Sequence, residues 1–115
     1  MVALADGSDG VVVDDGTQSN VVLAGMPVAQ ARATLAPDGT LYVAAVADDA
    51  GTWKVKLVYG DPAAPSFTTV DIPVDAALTP TGVGLLVDAN RVFIAVASED
   101  GTGNDAVGWL FLGPA

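Results

Sequence analysis

The chain is 115 residues long, enough for one compact domain and too short for two of ordinary size. Half of it is apolar (51%), which supports a buried core and excludes a disordered chain. It has no cysteine and no histidine, so disulfides, thiolate chemistry, histidine-ligated zinc and a Ser–His–Asp triad are excluded. Fourteen acids face only Arg32, Lys54, Lys56 and Arg91, for a net charge of −10. That balance opposes phosphate backbones and anionic bilayers, so neither nucleic acid nor membrane is an expected partner.

In chain order, the opening Met1-Val2-Ala3-Leu4-Ala5-Asp6 has neither the basic stretch nor the long apolar core of a signal peptide. No apolar run approaches the roughly 18 residues of a membrane-spanning helix. Asp6-Gly7, Asp9-Gly10 and Asp15-Gly16 punctuate residues 1–18, which read as a flexible or docking arm around a short Val-rich strand at 10–13. Further strands are predicted at 20–26, 31–36, 40–47, 53–59, 66–72, 82–87, 91–98 and 106–112. They are rich in Val, Leu, Ala and aromatic residues and separated by turn dipeptides such as Asp38-Gly39 and Asp100-Gly101. Every acid except Glu99 is Asp, a turn former rather than a helix former. Segment 53–59 alternates, with Trp53, Val55, Leu57 and Tyr59 on one side and Lys54 and Lys56 on the other. The lysines read as the outer, solvated face of an exposed strand. Segments 41–47 and 92–97 are apolar on both faces, as expected of central strands covered on both sides. The prediction is one all-β domain over 1–115, built of antiparallel sheets.

An internal repeat organises these strands. The stretch Pro37–Asp49 (PDGTLYVAAVADD) matches Val87–Asp100 (VDANRVFIAVASED) in its turn, aromatic, small-residue run and acidic pair. Met26-Pro27-Val28 and Ile72-Pro73-Val74 form a second echo. The repeat units run over about 19–65 and 66–115, with a period of about 45–50 residues that fits four-stranded blades. With strands lettered A to D, the chain reads C–D, A–B–C–D, A–B–C, so an orphan D strand opens it and a blade without D closes it. Each acidic pair is followed by a strand with a tryptophan, Trp53 in one copy and Trp109 in the other.

This pattern resembles two blades of a β-propeller. The turn Asp49-Ala50-Gly51-Thr52-Trp53 is similar to the Asp-box turns of sialidase-like propellers, one residue shorter between Asp and Trp and without the preceding Ser. The resemblance implies blades completed by oligomerisation, a trimer giving about six. The competing architecture is a small β-sandwich or barrel of two similar halves, which needs no partner to close.

Candidate sites are few. Asp48, Asp49, Glu99 and Asp100, with Asn104 and Asp105, offer clustered oxygens for Ca²⁺, although EF-hand spacing is absent and solvated turn residues are the simpler reading. Trp53, Trp109, Tyr42, Tyr59 and Phe93 are candidates for binding, assembly or stacking on sugar rings; at strand positions they are more often packing residues. No general acid–base pair and no activated nucleophile is evident, and two arginines do not make the cluster that grips a sialic carboxylate, so an enzyme is not expected. By size, composition and β architecture the chain resembles decoration and tail-accessory proteins of tailed bacteriophages. That resemblance implies a homo-oligomer that ornaments a capsid or tail, located on the virion. The alternatives are a carbohydrate-binding lectin-like propeller and an extracellular adhesin module.

Overall fold

A computed structural model describes residues 2–5, 10–14, 19–63, 66–72, 78–88, 91–99 and 105–112, with the side chains of 2–5 and 105–112 left aside. These residues form β1 (Val2–Ala5), β2 (Val11–Asp14), β3 (Ser19–Val22), β4 (Val28–Leu35), β5 (Leu41–Asp49), β6 (Thr52–Asp61), β7 (Ser66–Ile72), β8 (Thr79–Asp88), β9 (Arg91–Glu99) and β10 (Asp105–Leu112). All neighbours pair antiparallel. The strands make three meanders: sheet I (β1-β2-β3), sheet II (β4-β5-β6-β7) and sheet III (β8-β9-β10). The protein is therefore all-β. Among the described residues the sheets are open and form no closed barrel.

The Asp-rich turns act as the sequence implies. Asp38 Oδ1 accepts from Thr40 N at 2.9 Å, an Asx turn that closes the Pro37–Gly39 bend between β4 and β5. Between β5 and β6, Ala50 and Gly51 both have positive φ (55° and 93°), and Asp49 pairs directly with Thr52. That is a two-residue hairpin of the kind whose twist matches the flanking strands. Gly10, with φ 89°, sits where a Cβ would lie 2.5 Å from the Val22 carbonyl oxygen. Its N–H donates to Met26 O at 2.9 Å, tying the start of β2 to the segment entering sheet II. The predicted strand 20–26 stops at Val22 because Leu23 and Gly25 turn the chain with positive φ. Residues 2–5, within the expected arm, instead form a strand paired with β2.

The three sheets stack face to face with sheet II in the middle. On one face of sheet II, Leu41, Val43, Ala45 and Ala47 of β5 join Val28, Ala31 and Val58 against Val11, Val13 and Val22 of sheet I. On the other, Tyr42, Ala44 and Val46 join Val55, Leu57 and Ile72 against Val83, Val92, Ile94 and Val96 of sheet III. Because side chains alternate along a strand, β5 serves both cores, and Leu41–Ala47 are all buried. The expectation for 41–47 holds. For 92–97 only half of it does: β9 alternates buried and half-buried residues, because sheet II covers one face and no described part of the chain covers the other. The stack has three layers, not the two of a sandwich.

Cross-strand register refines the repeat. Aligned by its acidic pair, Tyr42 corresponds to Phe93, Ala44 to Ala95 and Val46 to Ala97. Their partners in the next strand are Tyr59, Leu57 and Val55 in sheet II and Phe111, Trp109 and Val107 in sheet III. Trp109 thus occupies the place of Leu57, and Trp53, opposite Asp48, corresponds to Asp105, opposite Glu99. The two tryptophans are not equivalent. The first unit is also larger than expected: β3 pairs with β2, and β2 with β1, so the opening strands form a sheet of their own instead of a lone C–D pair.

Ala50 bears a Cβ in the left-handed region, which costs an L-residue about 1–2 kcal/mol. Ala50→Asn, placing Asn-Gly in the turn, is expected to raise unfolding stability by about 0.5–1 kcal/mol. The check is a higher urea midpoint at constant slope; an unchanged midpoint contradicts this turn geometry.

Candidate functional site

The densest polar cluster lies on the sheet II face that looks toward sheet I. In β6, Lys54 and Lys56 share a face with Val58, and register sets Lys56 between Ala45 of β5 and Asp71 of β7. Lys56 is only 4% exposed. The sequence places it on a solvated outer face; the structure corrects this, because β6 is an interior strand and the ammonium is held between Asp49 and Asp71 of the neighbouring strands. Its ammonium donates to Asp49 Oδ2 at 2.8 Å and to Asp71 Oδ1. Lys54 Nζ lies 3.7 Å and 3.8 Å from the same two carboxylates. Burial alone would lower the Lys56 ammonium, but the hydrogen bonds it donates to Asp49 and Asp71, reinforced by their charges, hold it above the ordinary lysine range. The Lys56 hydrogen bond and charge hold the Asp49 carboxyl below the usual carboxylate range. Two ammonium groups meet two carboxylates, so the cluster carries no excess negative charge to attract a cation.

The other expected site residues are dispersed. Asp48 Oδ1 accepts from Gly51 N at 2.8 Å and so caps the β5–β6 turn. Glu99 ends β9, exposed, with Asp105 as its register partner. Asp100 and Asn104 lie outside the described residues, as do the side chains of Asp105 and Trp109. Among the described residues no three His, Cys, Asp or Glu side chains gather as a metal cage. Tyr42 is buried and stacks on Tyr59, centroids 6.1 Å apart and planes 25° apart. Burial first, then the charge of Asp38, raises its phenol above the ordinary range. Inside the contact between sheets II and III, the Tyr42 ring is not displayed to a sugar. Trp53 is 37% exposed at the turn end of β6. Phe93 is half-buried on the far face of sheet III.

The sequence left that far face unassigned. Register places Gly82 beside Ala97, Gly84 beside Ala95 and Leu86 beside Phe93, and Leu86 is 59% exposed. A groove of about 360 Å³ runs along Gly82, Gly84, Ala95 and Ala97, with Gln30 and Thr81 at one end. Gln30 Oε1 accepts from Val83 N at 2.6 Å, a bond linking sheets II and III at a bulge in β8. A Cβ on Gly82 would lie 2.9 Å from that oxygen. Among the described residues that line it, the groove is walled by glycine, alanine and Val83, with Gln30 and Thr81 as its polar side chains.

The fold is that of an all-β protein built of stacked antiparallel meanders. No family model matches the chain, and neither a curated protein nor a solved structure matches it.

The ion cluster sets a pH dependence. Asp49 titrates lower in the folded chain than in the unfolded one, so its contribution is present above the ordinary carboxylate pKa and lost as pH falls from about 4 downward. Asp49→Asn is expected to flatten that acid limb in urea titrations taken pH by pH. Removing both acids (Asp49→Asn with Asp71→Asn) leaves Lys56 buried without a counter-charge, whereas Lys56→Met leaves partly exposed carboxylates that keep Lys54 and water. The double variant should therefore lose more stability than Lys56→Met. The reverse order would show that the ammonium is solvated.

Proposed function

We propose that this chain is a non-catalytic structural protein that acts by self-association through its sheet faces, and that it serves as an oligomeric decoration or accessory component of a larger protein shell such as a virion. One observation carries the reading: β9 has a sequence apolar on both faces, but among the described residues only one of them is covered by another sheet. An apolar second face is a costly thing to leave in water. In β5 the corresponding face is closed by the next sheet, so in β9 it is read as prepared for contact. The polar groups support the same reading, because the buried lysine is neutralised within the fold and the turn acids are engaged by backbone N–H groups. The virion setting draws on size, composition and architecture. A sugar-binding role has less support, since Tyr42 is enclosed within the stack.

Light scattering coupled to size exclusion tests the self-association. A discrete oligomer is expected, and it should strengthen from low to high salt, because copies carrying −10 each repel until their charges are screened. A monomer at every salt and protein concentration sinks the self-associating reading. Co-sedimentation with candidate capsid or tail particles tests the setting separately.

A further inference from the structure

We propose that the Gln30 side chain is a built-in guard of the β8 edge: by holding the Val83 N–H it keeps that edge from pairing with a strand of another chain. The inference goes beyond the self-associating reading, which concerns sheet faces, and it stands or falls separately.

Among the described residues β8 is a border strand of sheet III, with β9 on its inner side. Val83 is the register partner of Val96, yet its N–H donates away from β9, to Gln30 Oε1 at 2.6 Å. Alternate residues of a strand point their N–H groups the same way, so those of Leu85 and Val87 also point away from β9. That is a row of donors of the kind a foreign strand pairs with. Gln30 supplies at Val83 the acceptor that the carbonyl of such a strand would otherwise supply, and its side chain stands where that strand would run.

The seat for this amide is shaped on both strands. In β4 the register shifts between Val28 and Gln30, and in β8 between Pro80 and Gly82; bulges of this kind re-aim side chains and interrupt pairing. Gly82 has no Cβ, and one there would lie 2.9 Å from Gln30 Oε1. Thr81 Oγ1 donates to Ala97 O at 3.2 Å, so the bulge is tied down from within sheet III. Pro80, just before it, has no N–H to offer an incoming strand. A guard of this sort answers a weakness of β8. The edges of sheet II carry a charge inside the strand, Arg32 in β4 and Asp71 in β7, and β1 and β3 are only four residues long. β8 runs for ten residues and has no charge before Asp88. Its stretch Val83–Val87 is of the uncharged, proline-free kind that pairs readily once its edge is free.

The test compares the full chain with Gln30→Ala, which removes the acceptor, and Gln30→Glu, which keeps an acceptor oxygen at the same reach. Circular dichroism and urea midpoints establish that each variant is folded, and light scattering reads the mass. Gln30→Ala is expected to give species of about twice the wild-type mass or more, growing with protein concentration, whereas Gln30→Glu keeps the wild-type mass. Adding Leu85→Pro to Gln30→Ala removes an edge donor while sparing the β8–β9 ladder, and the mass is expected to return to that of the wild type. Gln30→Ala at the wild-type mass overturns the guard. So does Gln30→Glu assembling as Gln30→Ala does, and so does growth that persists in the folded double variant, since the new contact then lies elsewhere. Where the double variant is unfolded, the Val83 amide of Gln30→Ala decides. Its hydrogen exchange slows as protein concentration rises if β8 is pairing, and exchange that ignores concentration overturns the proposal. None of these outcomes bears on the self-associating reading, which is judged on the wild-type mass alone.

Discussion

Burial of β5 on both faces is the constraint on which the rest of the structure depends. Side chains of a strand alternate, so a strand between two layers must be apolar at every position, and a single polar residue would leave a group without water or partner in one of the two cores. Leu41–Ala47 meet that demand without interruption. Ala44, Ala45 and Ala47 add a second property: their small volume lets both neighbouring sheets come close, and the bulk is supplied from outside by Val11 and Val13 on one side and Val92 and Ile94 on the other. Enlarging any of these alanines would press on a layer that is already filled, and packed cores resist such insertion. The apolar run ends at Asp48 and Asp49, where the strand turns toward solvent.

The ion cluster marks where the cover of sheet I gives out. Over β4 and β5 the face toward sheet I is purely aliphatic; at β6 and β7 it becomes Lys54, Lys56 and Asp71, with Asp49 from the end of β5. A lysine is a workable residue at this margin, because its long aliphatic stem packs along the sheet while its head reaches carboxylates at the rim. Ion pairing here limits the cost of bringing a charge under the edge of the neighbouring layer and adds little stability beyond that. The cluster is a boundary feature, consistent with its internal neutrality.

Much of this was legible in the sequence, for identifiable reasons. Asp-Gly punctuation and β-branched runs located most strands closely: 66–72 coincides with β7, and 91–98 differs from β9 by one residue. The double-sided burial of 41–47 followed from its unbroken apolarity. Lys56 was misplaced because alternation gives its face but not what lies above that face, and its partner Asp71 sits fifteen residues away on another strand. Val2–Ala5 escaped notice because four residues hemmed in by Asp-Gly turns carry little periodicity. Trp53 and Trp109 each lie in the strand that follows an acidic pair, as read, but at different register positions, since a shared residue type after a turn is weaker evidence than a shared cross-strand partner. Nothing local announced that, among the described residues, one face of β9 would have no sheet over it, since that depends on how the layers are stacked.

A sequence repeat can be folded in two ways that differ in consequence. If equivalent sheets face each other, as in two halves of a sandwich related by a two-fold axis, the Tyr42 face would meet the Phe93 face and both apolar surfaces would be spent in one closed interface. Here the Tyr42 face meets Val92, Ile94 and Val96 instead, so the contact between the two repeat units joins unlike surfaces and gives their stacking a direction. A directed stack never exhausts its own faces: adding a layer covers one surface and presents another of the same kind. The high net negative charge works against that tendency, since like-charged copies approach slowly. Within the chain it is shape and apolar area, not charge, that join one sheet to the next.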